Sequence, residues 1–141
     1  MSDTVLRLKE GETPVVSFEN FVMEDGSPIY GQILRFIKQG IAAGVMGDGD
    51  EMPSRRVLSA LLGVNPATVQ KAYHFLEEEG IVTSRTGVKS YISADAERTE
   101  AIRRQLFEGE ALSAVAAMKR MGMSREEALL LVERLWKEEE Q

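Results

Sequence analysis

Projected at about 100° per residue, residues 66–79 divide into two sides. Ala67, Gln70, Lys71 and His74 fall on one, with Thr68 at its margin; Val69, Ala72, Tyr73 and Leu76 fall on the other. The first side combines small, hydroxyl, amide and basic groups. An amide can hold an adenine edge through two hydrogen bonds, and a lysine can reach guanine or phosphate. Small residues near the helix start allow close approach. The second side is apolar and suits packing. This division is what a helix needs to lie in a DNA groove while staying anchored to its own domain.

The flanking residues supply the elements that would hold such a helix. Ser54 is placed to cap a helix of about two turns ending near Leu62, with Leu58, Leu61 and Leu62 as its buried side. Gly63 suits a left-handed C-terminal cap, and Val64 is an inward anchor. Asn65 caps the next helix, Pro66 starts it and Gly80 ends it. Residues 81–84 and 90–93 read as two short strands around Arg85-Thr86-Gly87-Val88-Lys89, a hairpin with basic residues near its tip. Upstream, Ser27 as cap and Pro28 as first residue open a helix whose Ile29, Ile33, Ile37 and Ile41 recur every fourth position, ending at Gly44. Residues 47–50 form a polar turn. Val15 to Phe18 and Phe21 to Met23 suit either short strands or a packed arm. Residues 95–121 are helical, and the apolar stripe changes phase near Gly109, which predicts a kink or a new packing partner there. Ser124 and Glu127 have capping-box spacing for a last helix reaching about Glu139.

The 141 residues carry 43% hydrophobic side chains, enough for a packed core. The absence of cysteine excludes disulfides and thiolate metal sites, and one histidine excludes a histidine-rich site. No apolar run has membrane-spanning length and the N-terminus lacks a signal-peptide core, so a cytoplasmic protein is expected. Net charge is −6, which excludes a strongly basic chromatin-type protein. The charge is uneven, however: residues 51–94 hold five basic and four acidic side chains, three of the acids being Glu77, Glu78 and Glu79. Local field at the contact face, more than net charge, governs phosphate binding. No phosphate loop, zinc spacing or nucleophile–base pair is present, so neither catalysis nor a cofactor is expected.

The chain resembles the GntR family of bacterial transcription regulators, most of all its short-tailed YtrA-like subfamily. The resemblance rests on Pro28-Ile29-Tyr30-Gly31-Gln32-Ile33, on Pro53-Ser54-Arg55-Arg56-Val57-Leu58, and on the run from Gly63 to Ala72. In the wing it rests on Arg85, Gly87, Ser90, Tyr91 and Ile92, and in the tail on Met121 to Glu127, covering about residues 27–139 in all. Arg55, Pro66 and Lys89 stand where relatives commonly carry other residues. The implied fold is mainly α with a small β wing: a winged helix-turn-helix followed by a C-terminal helical dimerisation segment. The expected organisation is an N-terminal arm at 1–26, the DNA-binding domain at 27–94 and a two-helix dimerisation region at 95–141.

The resemblance implies a homodimeric regulator, most simply a repressor, bound to a near-palindromic double-stranded DNA operator. Arg56 matches the family's DNA-contacting arginine, and Arg55 is a candidate phosphate contact. Ala67, Thr68, Gln70 and Lys71 are the candidate groove residues. Ser54 and Asn65 can cap helices, offer backbone amides to phosphate, or do both. Arg85, Thr86, Gly87 and Lys89 are candidates for phosphate or minor-groove contact. Leu112, Val115, Leu131, Val132, Leu135 and Trp136 are the expected dimer interface, with Trp136 as anchor. Two alternatives stay open: a winged-helix module for protein association, and a sensor holding a small-molecule effector between the C-terminal helices.

Overall fold

Isoleucine at every fourth position lays one apolar stripe along a helix. The structure, a computed structural model describing residues 15–85 and 89–141, forms it as α1 (Ile29–Ala42). Ile33, Ile37 and Ile41 are buried and Ile29 half-buried. The expected cap at Ser27 is not made; Pro28 occupies the cap position without a side-chain bond. The Ser27 hydroxyl instead accepts from Gln32 Nε2 at 3.1 Å. The Gln32 amide also ties down Glu24, accepting from its N–H and donating to its carbonyl, each at 2.8 Å. The Gln32 amide thus ties the chain before α1 to the helix's first turn.

The next elements are α2 (Arg55–Leu62), α3 (Pro66–Glu78), β1 (Val82–Arg85) and β2 (Lys89–Ile92). α3 packs against α1, α2 and β1. Ser54 caps α2, accepting from Val57 N at 3.1 Å, and Gly63 closes it at φ +67°, a conformation that costs glycine little. Asn65 caps α3 by accepting from Ala67 N at 2.8 Å, with Pro66 at its first turn. The α2 face differs from expectation. Leu58 is buried and Leu62 half-buried, but Leu61 is 64% exposed. Ser59 is buried in its place, donating its hydroxyl proton to the Val64 carbonyl at 2.7 Å. That hydrogen bond makes a polar residue cheap to bury and turns Leu61 outward.

β1 and β2 pair antiparallel with Val82 opposite Ile92 and Arg85 opposite Lys89. Residues 49–52 continue this sheet rather than only turning. Gly49 N donates to the Ile92 carbonyl, Ile92 N to Asp50 and Met52 N to Ser90, all at 2.8 Å. On their other side Val16 N donates to the Glu51 carbonyl at 2.8 Å. Val16 and Phe18 are buried, and the Phe18 and Phe21 rings pack on Phe36 at 5.0 and 5.3 Å between centroids. Residues 15–21 are thus part of the domain's packing.

α4 (Ala96–Arg120) is one continuous helix through Gly109. The chain divides into compact units inside this helix, one ending at Arg104 and the other beginning at Gln105. Ile102, buried, belongs to the first unit, and Ala111, Leu112 and Val115 to the second. In the first unit Arg98 donates to the Gly80 carbonyl and Arg103 to the Ala42 carbonyl, placing cations at the C-terminal ends of α3 and α1.

In the second unit Met121 and Gly122 lead to α5 (Arg125–Glu139). The capping box is complete: Glu127 N donates to Ser124 Oγ at 3.1 Å and Ser124 N to Glu127 Oε1 at 3.0 Å. The Ser124 backbone amide, followed by its hydroxyl, holds the Glu127 carboxyl below its ordinary pKa. No helix among the described residues is long and apolar enough to cross a membrane. The α2 packing predicts a contrast measurable by urea unfolding. Leu58→Ala costs about 2–5 kcal/mol, whereas Leu61→Ala changes stability by less than about 0.5 kcal/mol.

Candidate nucleic-acid interface

The site is built outward from the buried side of α3. Val69, Ala72, Tyr73 and Leu76 are fully buried, which fixes the roll of the helix. The opposite side then presents Ala67, Gln70, Lys71 and His74 to solvent, with Thr68 half-buried, as the helical projection predicts. Arg56 is also exposed, and its guanidinium has no ion pair or hydrogen bond among the described residues. Ser54 and Asn65 both use their side-chain oxygens as caps. Any contact they make with phosphate falls to backbone amides near the starts of α2 and α3.

Arg55 has a role inside the domain that spacing alone did not reveal. It lies one helical turn before Leu58 and Ser59, so it shares their inward face. Its guanidinium is half-buried, pairs with Glu77 of α3 and lies over the Tyr73 ring at 4.9 Å from the centroid. Its Nε is buried without a hydrogen-bond partner among the described residues. The neighbouring Tyr73 hydroxyl donates to the Pro53 carbonyl. Burial pushes the Tyr73 phenol far above its ordinary pKa, opposed only in part by the Arg55 charge. The phenol therefore remains a donor across the neutral range and locks α3 to the entry of α2.

Each acid of the run at the end of α3 has a local partner. Glu77 pairs with Arg55, Glu78 Oε1 lies 3.2 Å from His74 Nε2, and Glu79 Oε1 lies 3.0 Å from Lys38 Nζ. All three lie at the helix end away from Ala67 and Thr68. His74 is thereby drawn toward Glu78, four residues on.

Two further cations sit on aromatic faces. Lys71 Nζ is 4.2 Å from the centroid of Tyr30, and Arg85 Cζ is 4.5 Å from that of Tyr91. Tyr30 in turn stacks on Phe75 at 5.5 Å. Lys89, opposite Arg85 in the hairpin, places Nζ 3.8 Å from Glu51 Oε1. Thr86 and Gly87 lie outside the described residues. Tyr30 is the neighbour of this surface that sequence reading missed. It stands on α1, far from Lys71 in sequence, and no spacing rule connects them.

A two-helix unit joined by a left-handed glycine, a third helix beneath it and a β hairpin beside it make a winged helix-turn-helix. Residues 29–92 match the model of the bacterial regulatory proteins of the gntR family. A GntR family transcriptional regulator from Listeria monocytogenes superposes with a TM-score of 0.74 and is 31% identical. That likeness covers 79% of this chain and 98% of the other. The chain belongs to the GntR family of bacterial regulatory proteins. It is 44% identical over 73 residues to the HTH-type transcriptional repressor YtrA of Bacillus subtilis, a match covering 52% of this chain and 56% of YtrA. It is 32% identical over 106 residues to the HTH-type transcriptional regulator YhcF of the same organism, covering 75% and 88%. The chain thus spans about half the length of YtrA.

The lock between α2 and α3 has a pH signature. The folded pKa of Tyr73 is raised, so its contribution is fully present below the unfolded value of about 10 and is lost as pH climbs beyond it. Tyr73→Phe should cost about 1 kcal/mol at neutral pH. In urea titrations repeated across alkaline pH, it should also make stability fall less steeply than in the native chain.

Proposed function

We propose that this GntR-family chain is a DNA-binding transcription regulator, acting as a homodimeric repressor on a near-palindromic operator. The observation that carries the reading is the state of α3. Its N-terminal polar side is exposed, as is Arg56 of α2, while the acids at its far end are engaged within the domain or by His74. In this reading Gln70 and Lys71 enter a major groove with Ala67 and Thr68 at close approach. Arg56 meets backbone or guanine, and Arg85 and Lys89 meet adjacent backbone from the wing. Arg55 supports the surface from within. The repressor assignment follows the likeness to YtrA, which bears that description.

Dimerisation is supported by the second unit. Leu112 and Trp136 are each 70% exposed, and Val115, Leu129, Val132 and Leu135 are also exposed. Leu131 is half-buried. Apolar side chains in this number on two short helices call for a covering surface. A second copy of the same face would place two reading heads on half-sites about one turn, roughly 10 bp, apart.

Two measurements test the reading. In fluorescence anisotropy with an operator selected from a random pool, Gln70→Ala should cost about 1–3 kcal/mol and relax preference at one position. Arg56→Ala should weaken binding and, where it meets phosphate, lower the salt slope by about one. An unchanged affinity in the double variant sinks this placement. In sedimentation velocity the native chain should run as a dimer and Leu135→Asp/Trp136→Asp as a monomer; identical profiles would refute the interface.

A further inference from the structure

The chain has three tyrosines, and each carries a cation of residues 51–94 on its ring: Arg55 on Tyr73, Lys71 on Tyr30 and Arg85 on Tyr91. The first pair is inside the domain. The second stands in the second turn of α3, on the exposed side of that helix. Lysine is a flexible four-carbon stem, and an exposed one loses rotamer freedom when it is immobilised against a partner. A ring face that already holds the ammonium removes part of that cost before the partner arrives.

The surroundings of Tyr30 suit this task. Its ring is half-buried and stacked on Phe75, with 22° between the planes, so α1 and α3 together fix it. Lys71 Nζ lies over the Tyr30 ring at 4.2 Å from its centroid, within the usual range of a cation–π contact. An open depression of about 540 Å³ lies alongside, lined by Pro28, Ile29, Tyr30, Ala67, Thr68 and Lys71. Its walls are the first residues of α1 and the first turns of α3. An ammonium engaged by a ring still has donors free for an oxygen ligand, so the hold does not consume the contact.

We propose that Tyr30 is a positioning residue for DNA binding: its ring, braced by Phe75, holds Lys71 at the edge of the reading helix for contact with a phosphate or a guanine edge. The assignment rests on the DNA-binding reading above and adds a residue on α1 that acts through Lys71. It depends on the ring face and not on the hydroxyl.

The test is a double-variant cycle on the full chain, read by anisotropy with a labelled duplex selected from a random-sequence pool, over a range of salt concentrations. Lys71→Ala should weaken binding. Tyr30→Leu should weaken it by roughly two- to fivefold, and Tyr30→Phe should leave it unchanged. In a Lys71→Ala background, Tyr30→Leu should have no additional effect, because the cation it positions is gone. A general loss of packing would appear in both backgrounds, so an equal loss in each overturns the proposal. So does a Tyr30→Leu variant that binds like the native chain, or a Tyr30→Phe variant as weak as Tyr30→Leu. Failure of the native chain to bind any duplex at low salt overturns the DNA-binding reading itself, and this assignment with it. Native binding that survives with Lys71→Ala unaffected overturns the positioning role alone.

Discussion

The roll of α3 is the constraint on which the N-terminal unit depends. Four side chains, Val69, Ala72, Tyr73 and Leu76, are removed from water on one side of it. Turning the helix by one residue, about 100°, would bury an amide or a lysine and expose an aromatic ring. Each of those exchanges costs free energy, from unsatisfied polar groups in one direction and lost apolar burial in the other. The Tyr73 hydroxyl on the Pro53 carbonyl and the Arg55–Glu77 pair fasten the same helix to α2. With α3 held in this way, the exposure of Ala67, Gln70 and Lys71 follows without further specification.

Charge is arranged on the same axis. A chain of net charge −6 is a poor match for phosphate if its charges are taken as a total. The fold resolves this by position. Glu77 and Glu79 are spent on Arg55 and Lys38, and Glu78 faces His74, all toward the far end of α3. The exposed cations Arg56, Lys71 and Arg85 lie on the helix-turn-helix and the wing, two of them on tyrosine rings. What an approaching polyanion meets is the local field, and the local field is set by which acids already have partners.

Much of this was legible because local signals agreed. Asn65-Pro66 starts α3, Gly63 closes α2 and Ser124 with Glu127 caps α5, each through bonds spanning only a few residues. Where sequence reading went astray, the deciding partner was distant or a rule had two solutions. Ser27 is not the cap because α1 starts one residue later, with Pro28 at the cap position, and its hydroxyl instead accepts from Gln32. Leu61 faces solvent because Ser59 finds the Val64 carbonyl and tolerates burial. Arg55, still a candidate for phosphate contact, also has partners on another helix, Glu77 and Tyr73, that residue spacing did not show. The apolar stripe changes phase within a continuous helix that two compact units share.

By itself the sequence determined the elements, the two sides of α3, the family and the surplus of apolar surface near the C-terminus, because periodicity, capping and composition act over short range. Only the tertiary structure decided which charged groups are consumed as internal struts and which remain available. It alone brought Val16 and residues 49–52 to the wing's sheet and set the Tyr30 ring under Lys71. Those outcomes require groups far apart in the chain to meet at a few ångströms. That proximity is set by packing, and no residue spacing along the chain encodes it.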